Sequence, residues 1–291
     1  MWIAKINIGL RRFVIFIAIA ILTATLINVY MPFIAYMIVG GALGISGMMM
    51  YFLYSFGMFL RKYQFRNYNM LKEVRDYVNF RNPKENYRCI YYSESQNAKY
   101  YDSSIFLKTY EKWSHFDILR VILTSLATPP KKILILGAGG GAFLYSITRL
   151  FPEIHIDAVE VSSEMIRVAE NYFLANTDQS HIRWIRQDAL SYLRKCNTLG
   201  LTYDCIIVDL AKGSSLPRWI YKRPFASLLN KTSHQRSLIF INYIHMNHQL
   251  FQSIAIYQSI FRNFKIYHYN KNIIGTNYIL PESIPNITFV A

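Results

Sequence analysis

The sequence predicts an α/β protein built on a doubly wound, mostly parallel sheet, with an apolar stretch ahead of it. Three observations carry this prediction. From about residue 129 onward, short apolar runs alternate with helical patterns, the order that βαβ units produce. The first run, Ile133-Leu134-Ile135-Leu136, is apolar throughout, as expected of a strand buried on both faces of a parallel sheet. A glycine-rich loop, Gly137 to Gly141, follows it at once and opens a helix from about Phe143.

The other elements follow in order. Cys89 to Tyr92 and Ser104 to Leu107 have the composition of strands in a small separate sheet. His115 to Leu126 places apolar residues at helical spacing, at Phe116, Leu119, Ile122 and Leu126, and Pro129-Pro130 ends it. Beyond the glycine loop, strands are expected at Ile156 to Val161, Ile182 to Ile185 and Cys205 to Val208. Helices are expected at Glu164 to Phe173 and Ala189 to Lys195. Further strands fall at Leu238 to Asn242, at Phe264 to Tyr269 and near the C-terminus. The chain shows no internal repeat and no low-complexity linker.

The 291 residues are 53% hydrophobic, and the mean hydropathy is +0.15. Most of the excess lies before residue 61. No charged residue occurs from Phe13 to Met31 or from Phe33 to Leu60, and each run reaches the roughly 20 residues that cross a bilayer. Pro32 breaks them apart, so residues 1–62 predict a transmembrane hairpin of two helices. A second apolar run directly after the first argues against a cleaved signal peptide. Lys5, Arg11 and Arg12 precede the first run, and Arg61, Lys62 and Arg66 follow the second. The positive-inside rule then predicts an integral protein of the cell inner membrane, with both termini and the catalytic domain cytoplasmic. Gly40 and Gly44 form a G-x-x-x-G that suits packing against the first span, a homodimer contact being the alternative.

The formal net charge is +15, which points to anionic lipid, acidic substrates or nucleic acid. Eight Lys/Arg against three acids lie between Arg61 and Arg88, so residues 63–86 are expected to form a basic juxtamembrane segment drawn to anionic lipid. Membrane lipid therefore accounts for this charge without nucleic acid, for which no recognised module is present. The cysteines Cys89, Cys196 and Cys205 lack metal-ligand spacing, so no metal site is expected, and nothing suggests a disulfide framework.

Chemistry gathers at the predicted strand ends. Gly137, Gly139 and Gly141 leave room for a ligand above the first parallel strand, and the helix behind them offers unpaired N–H groups. Glu160 ends the second strand about 20 residues later, where an acid accepts hydrogen bonds from ribose hydroxyls. Asp188 follows the third strand, placed to meet an adenine amino group, and Asp209 ends the fourth. Each acid alone could be a helix cap or a solvated turn; all three line one edge of the sheet. Gly137-x-Gly139-x-x-Ala142 also satisfies the dinucleotide pattern of an NAD or FAD oxidoreductase, but Asp188 and Asp209 have no role in that reading.

With these motifs in place, residues from about Tyr87 to the end resemble the spermidine synthase (polyamine aminopropyltransferase) branch of the S-adenosylmethionine-dependent methyltransferase superfamily. The matching features are Ile-Leu-Ile-Leu-Gly-x-Gly-x-Gly, then Val159-Glu160, Asp188-Ala189 and Tyr203 to Asp209, in order and spacing. The resemblance implies a Rossmann-like methyltransferase fold. Residues 87–128 would form a small N-terminal sheet and helix, and residues 129–291 the core. It implies that Gly137, Gly139, Gly141, Glu160 and Asp188 bind the nucleoside of S-adenosylmethionine or its decarboxylated form, used as co-substrate without a metal. Asp209 would face the reacting centre and orient or deprotonate an acceptor amine. His115 and Asp117 fall on the acceptor side, where the family has a Tyr and a Glu.

Three departures qualify the likeness. Lys212 stands where the family has a second Asp that holds the cationic amine, and a lysine there repels an ammonium group. Ordinary putrescine aminopropylation is therefore doubtful, and Lys212 is read instead as a catalytic-site partner for a carboxylate on donor or acceptor. Val161 and Ser162 replace the acid that often follows the Val-Glu pair, and the glycine usual before the next strand is missing from Lys231 to Arg236. Six Lys/Arg and no acid lie between Lys212 and Arg236, with Trp219 and Tyr221 among them. That composition fits a solvated surface, a lipid–water interface or an anionic acceptor. The expected function is a membrane-anchored transferase that moves a methyl or aminopropyl group to a small-molecule or lipid-surface acceptor. A non-catalytic nucleoside-sensing or assembly protein on the same fold is the alternative.

Overall fold

The computed structural model describes residues 15–20, 41–51, 58–67, 70–95, 98–106, 115–211, 216–243, 248–269, 272–279 and 287–290. The chain divides into two compact units, Met1–Tyr110 and Glu111–Ala291.

The first unit contains a four-stranded antiparallel meander. Its strands β1 (Met58–Asn67), β2 (Met70–Val78), β3 (Tyr87–Ser95) and β4 (Ala98–Phe106) lie side by side in chain order. Val74, Cys89 and Ile90 are fully buried. Opposite charges meet across the strands. Arg88 grips Asp76 with two hydrogen bonds of 2.6 and 2.9 Å, and Arg61 donates to Glu73, which also accepts from Arg75 on its own strand. Cross-strand pairs of this kind help to fix the register.

This sheet changes the reading of the N-terminal region. The second apolar run does not continue as a helix to its end, because Met58, Phe59 and Leu60 belong to β1. The basic segment after it is strand as well, and its Arg61, Lys62, Arg75 and Arg88 pair with Glu73 and Asp76. The small sheet thus begins at Met58 and takes in much of the 63–86 segment. Helix is described at 15–20 and 41–51; the rest of the two apolar runs, including Gly40, lies outside the described residues. Among the described residues no helix is long and apolar enough to cross a membrane. The expected transmembrane hairpin is therefore not supported. The expected location as an integral inner-membrane protein, with cytoplasmic termini and domain, is corrected on that finding.

The second unit is the doubly wound domain. Strands β5 (Lys132–Leu136), β6 (His155–Val159), β7 (Ile182–Ile185), β8 (Tyr203–Val208), β9 (Ser233–Tyr243), β10 (Lys265–Tyr269), β11 (Asn272–Thr276) and β12 (Ile287–Phe289) form one sheet. Their order is β12-β10-β11-β9-β8-β5-β6-β7. The five strands from β7 to β9 run parallel, and β11, β10 and β12 add antiparallel neighbours at one side. The helices are α1 (His115–Ser125), α2 (Ala142–Leu150), α3 (Ser163–Val168), α4 (Ala189–Leu199), α5 (Arg223–Lys231) and α6 (His248–Ile260). A π-helical turn, Ala169–Phe173, continues α3.

The period-2 alternation of β5 sorts its side chains between two cores. Ile133 and Ile135 pack on Ile118 and Ile122 of α1 and Leu144 and Ile147 of α2. Leu134 and Leu136 pack on the other face with Leu193 of α4, Phe225 and Leu229 of α5 and Tyr257 of α6. Local chemistry sets the helix ends. The Ser162 side chain accepts from Met165 N at the start of α3. Gly200, at φ 63°, ends α4 in the left-handed region, where glycine avoids the Cβ penalty.

One buried acid departs from the apolar pattern. Asp157 sits in the interior of β6 at 5% exposure. It takes a fork from Arg183 of β7 at 2.7 and 2.6 Å. It also accepts from Tyr203 Oη of β8 at 2.5 Å and from Tyr192 Oη of α4 at 3.3 Å. The cluster ties β6, its neighbour β7 and, across β5, β8 to the helix that covers them.

Candidate functional site

The glycine loop starts where β5 ends. Gly137, Gly139 and Gly141 have φ of 86°, 51° and 83°, a region that L side chains rarely adopt. Gly137 is constrained further. A Cβ there would lie 2.4 Å from the main-chain oxygen of Asp209 and 2.9 Å from its carbonyl carbon. The sequence suggests that these glycines make room for a ligand. At Gly137 the more direct reason is that the end of β8 needs the space. A Cβ at Gly141 would lie 3.1 Å from Ala169 Cβ, so the third glycine serves the packing of α2 against the π-helical turn.

The loop is tied to the next strand end. Gly137 N and Ala138 N donate to Val159 O at 2.9 and 3.0 Å. Glu160 then turns its carboxylate back on the loop. Oε2 accepts from Gly139 N at 3.0 Å, and Oε1 accepts from Ser162 N at 2.9 Å. A carboxylate has about four lone-pair sites, and these two main-chain bonds occupy one on each oxygen. Gly139 and Glu160, predicted separately as nucleoside ligands, are thus joined by a direct hydrogen bond.

Asp209 closes the group from the other side. Its N–H donates to Leu136 O at 2.9 Å, which sets the end of β8 beside the end of β5. Its Oδ1 accepts from Asn242 Nδ2 at 2.8 Å. Asn242 is buried at 6% exposure, near the C-terminal end of β9, and its own Oδ1 has no hydrogen-bond partner. Asn242 was not singled out from sequence as a site residue. The available signal was a lone amide at the end of the apolar strand Leu238 to Asn242.

The remaining expected residues divide. Asp188 follows β7, so it belongs to the same edge of the sheet. It is exposed, and its Oδ1 accepts from Ser191 N at 2.9 Å as the N-cap of α4. The helix-cap role considered from sequence is therefore present. His115 and Asp117 lie in the first turn of α1, and their side chains fall outside the described residues. Lys212 falls outside them altogether. The structure thus brings Gly137, Gly139, Gly141, Glu160 and Asp209 into one connected group and adds Asn242 to it.

The loop geometry gives a direct test. Gly137→Ala must force apart the ends of β5 and β8, so it is expected to lower Tm and, if the loop holds a nucleoside as the sequence predicts, to weaken that binding more than tenfold. Gly200→Ala has a similar φ but nothing within 4 Å of the added methyl. It should cost about 1 kcal/mol of stability and leave binding unchanged. Calorimetric titration with S-adenosylmethionine and thermal unfolding of both variants measure the contrast.

Comparison with known proteins shows the family. The spermine/spermidine synthase domain matches residues 111–278, more than half of the chain. The polyamine aminopropyltransferase of Vibrio vulnificus is 27% identical over 192 residues, covering 62% of this chain and 62% of that protein. Putrescine N-methyltransferase 2 of Nicotiana attenuata is 27% identical over 141 residues, 46% of this chain and 37% of that protein. The chain thus spans less than two thirds of the length of either relative, both of which are transferases. Among solved structures, a probable spermidine synthase from Corynebacterium glutamicum superimposes with a TM-score of 0.59 at 14% identity. It covers 76% of this chain and 82% of its own, a likeness of fold. The chain belongs to the spermine/spermidine synthase domain family.

Proposed function

We propose that the chain is a transferase that takes an alkyl group from S-adenosylmethionine or its decarboxylated form and places it on an amine nitrogen. The observation that carries this reading is the meeting of strand ends: Glu160 is bonded to the glycine loop, and the same loop lies against Asp209. In this reading Gly137 to Gly141 and Glu160 hold the nucleoside, with Glu160 receiving the ribose hydroxyls. Asp188 approaches the adenine with the acceptor capacity its cap bond leaves.

Bound there, the donor supplies a sulfonium carbon that the amine nitrogen attacks, as the C–S bond breaks and its electron pair stays on sulfur. The protein's share is positioning and proton handling. Asp209 receives the proton that the amine loses on forming the new C–N bond. Asn242 holds the Asp209 carboxylate in place through the hydrogen bond from its Nδ2 at 2.8 Å. An amine acceptor also agrees with the names of the relatives, one an aminopropyltransferase of polyamines and one an N-methyltransferase of putrescine.

Glu160→Ala tests the nucleoside site. Calorimetric titration with S-adenosylmethionine and with its decarboxylated form should show affinity for the preferred donor falling at least tenfold, with a modest loss of Tm as Gly139 N and Ser162 N lose their acceptor. Unchanged affinity would remove Glu160 from the site and leave the loop as a structural turn.

A further inference from the structure

At the opposite end of β9 from Asn242 there is a second concavity, which no part of the transferase reading uses. Its volume is about 540 Å³, and Arg236, Arg262, Asn263, Asn277 and Tyr278 are among its lining residues. Arg236 stands six positions before Asn242, which at about 3.3 Å per residue is roughly 20 Å along the strand. The volume lies within the range of about 300–1,000 Å³ typical of small-molecule sites.

Arg236 and Arg262 are exposed, and two features of the cavity they line favour an anion there. The first is its charge. Arg236 and Arg262 line it, and no Asp or Glu does. Among the described residues neither guanidinium forms an ion pair. The nearby acid, Asp204, is already engaged. Its Oδ1 meets His234 Nε2 at 2.9 Å, and its Oδ2 accepts from Lys131 N and Lys132 N, both at 2.8 Å. A complementary position after the C-terminal end of α6 would account for Arg262, but it does not account for Arg236.

The second feature is a fixed wall. His234 Nδ1 accepts from Arg236 N at 3.3 Å, so Nε2 carries the proton given to Asp204. His234 N donates to Ser237 Oγ at 2.7 Å, and Ser237 Oγ donates to Tyr203 O at 2.7 Å. Asn277 then clamps the same strand, accepting from Ile239 N and donating to Ser237 O. The backbone that carries Arg236 is therefore held from both sides before any ligand arrives.

We propose that this cavity binds the phosphate group of a small molecule, clasped between the Arg236 and Arg262 guanidiniums. Guanidinium forks suit phosphate because two parallel N–H donors meet two oxygens. The site is separate from the nucleoside site and does not depend on the transferase reading.

Inorganic pyrophosphate is the probe, since it has no base or ribose to engage the glycine loop. The full chain is titrated by calorimetry at about 0.15 M salt, where long-range attraction is largely screened. The same titration is run on Arg236→Gln, on Arg262→Gln and on the double variant. Saturable binding is expected, weakened at least threefold in each single variant and more than tenfold in the double. The Tm should be the same within about 2 °C in all four proteins, which shows that the variants are folded. Three outcomes overturn the proposal: no saturable pyrophosphate binding, equal binding in wild type and double variant, or binding of a single-stranded RNA but not of pyrophosphate.

Discussion

Asp209→Asn is expected to lower the rate of group transfer by about 10²- to 10⁴-fold, the usual range for removal of a general base, while affinity for the nucleoside donor stays within a factor of about three. The substitution keeps the shape and one carbonyl oxygen, so the bond from Asn242 Nδ2, 2.8 Å in the wild type, can still form. What it removes is the ability to take a proton. Asn242→Ala acts one step back, by freeing the Asp209 carboxylate to rotate, and should lower kcat about tenfold with partial recovery in Asn242→Gln. Single-turnover rates and donor titrations on the three variants read these effects separately. A full rate in Asp209→Asn would place the proton acceptor elsewhere and favour a non-catalytic or differently arranged site.

Asp157→Ala should cause the largest loss of stability, about 2–4 kcal/mol. Removing one partner of a buried charge pair costs about 3–5 kcal/mol. Here the Arg183 side chain is 62% exposed and can recover water, which lowers the figure. Tyr203 and Tyr192 cannot do so as readily, though their hydroxyls stay 3.0 Å apart. Arg183→Ala should therefore cost less than Asp157→Ala, and urea unfolding of both variants compares them. The cluster also predicts a pH dependence. Burial pushes the Asp157 carboxyl up, but hydrogen bonds from Arg183 and Tyr203 and the nearby charges outweigh it and hold it below the usual carboxylate range. A carboxyl lowered in the folded state contributes stability above its unfolded pKa of about 3.9. That contribution is lost as pH falls through the folded value. Wild type should lose stability across that acid window, and Asp157→Ala should lose correspondingly less.

The sequence revealed most of the doubly wound domain because its signals are local. The run Ile133 to Leu136, the glycines after it and the acids at strand ends each lie within a few residues of the element they mark. Glu160 and Asp209 could be picked out from their positions alone. The polar clusters were not legible in the same way. Asp157 reads as an interruption in an apolar strand until its partners are known, and those stand 26, 35 and 46 residues away. Asn242 meets Asp209 across 33 residues. The reading failed most plainly between Phe33 and Arg88. A count of uncharged residues treats Met58 to Leu60 as helix, whereas their backbone pairs with β2. Of the lysines and arginines that follow, Arg61, Lys62, Arg75 and Arg88 pair with Glu73 and Asp76, contacts that a count of charges does not show.

The measurement that bears most directly on the central claim follows both products of one reaction. The purified chain is incubated with S-adenosylmethionine or decarboxylated S-adenosylmethionine and a panel of primary amines, and mass spectrometry detects the alkylated amine and the nucleoside thioether. The account predicts that one donor yields both products in equal amounts, with formation strongly reduced in Asp209→Asn. Failure of both donors to yield either product, in protein shown by calorimetry to bind them, would contradict it.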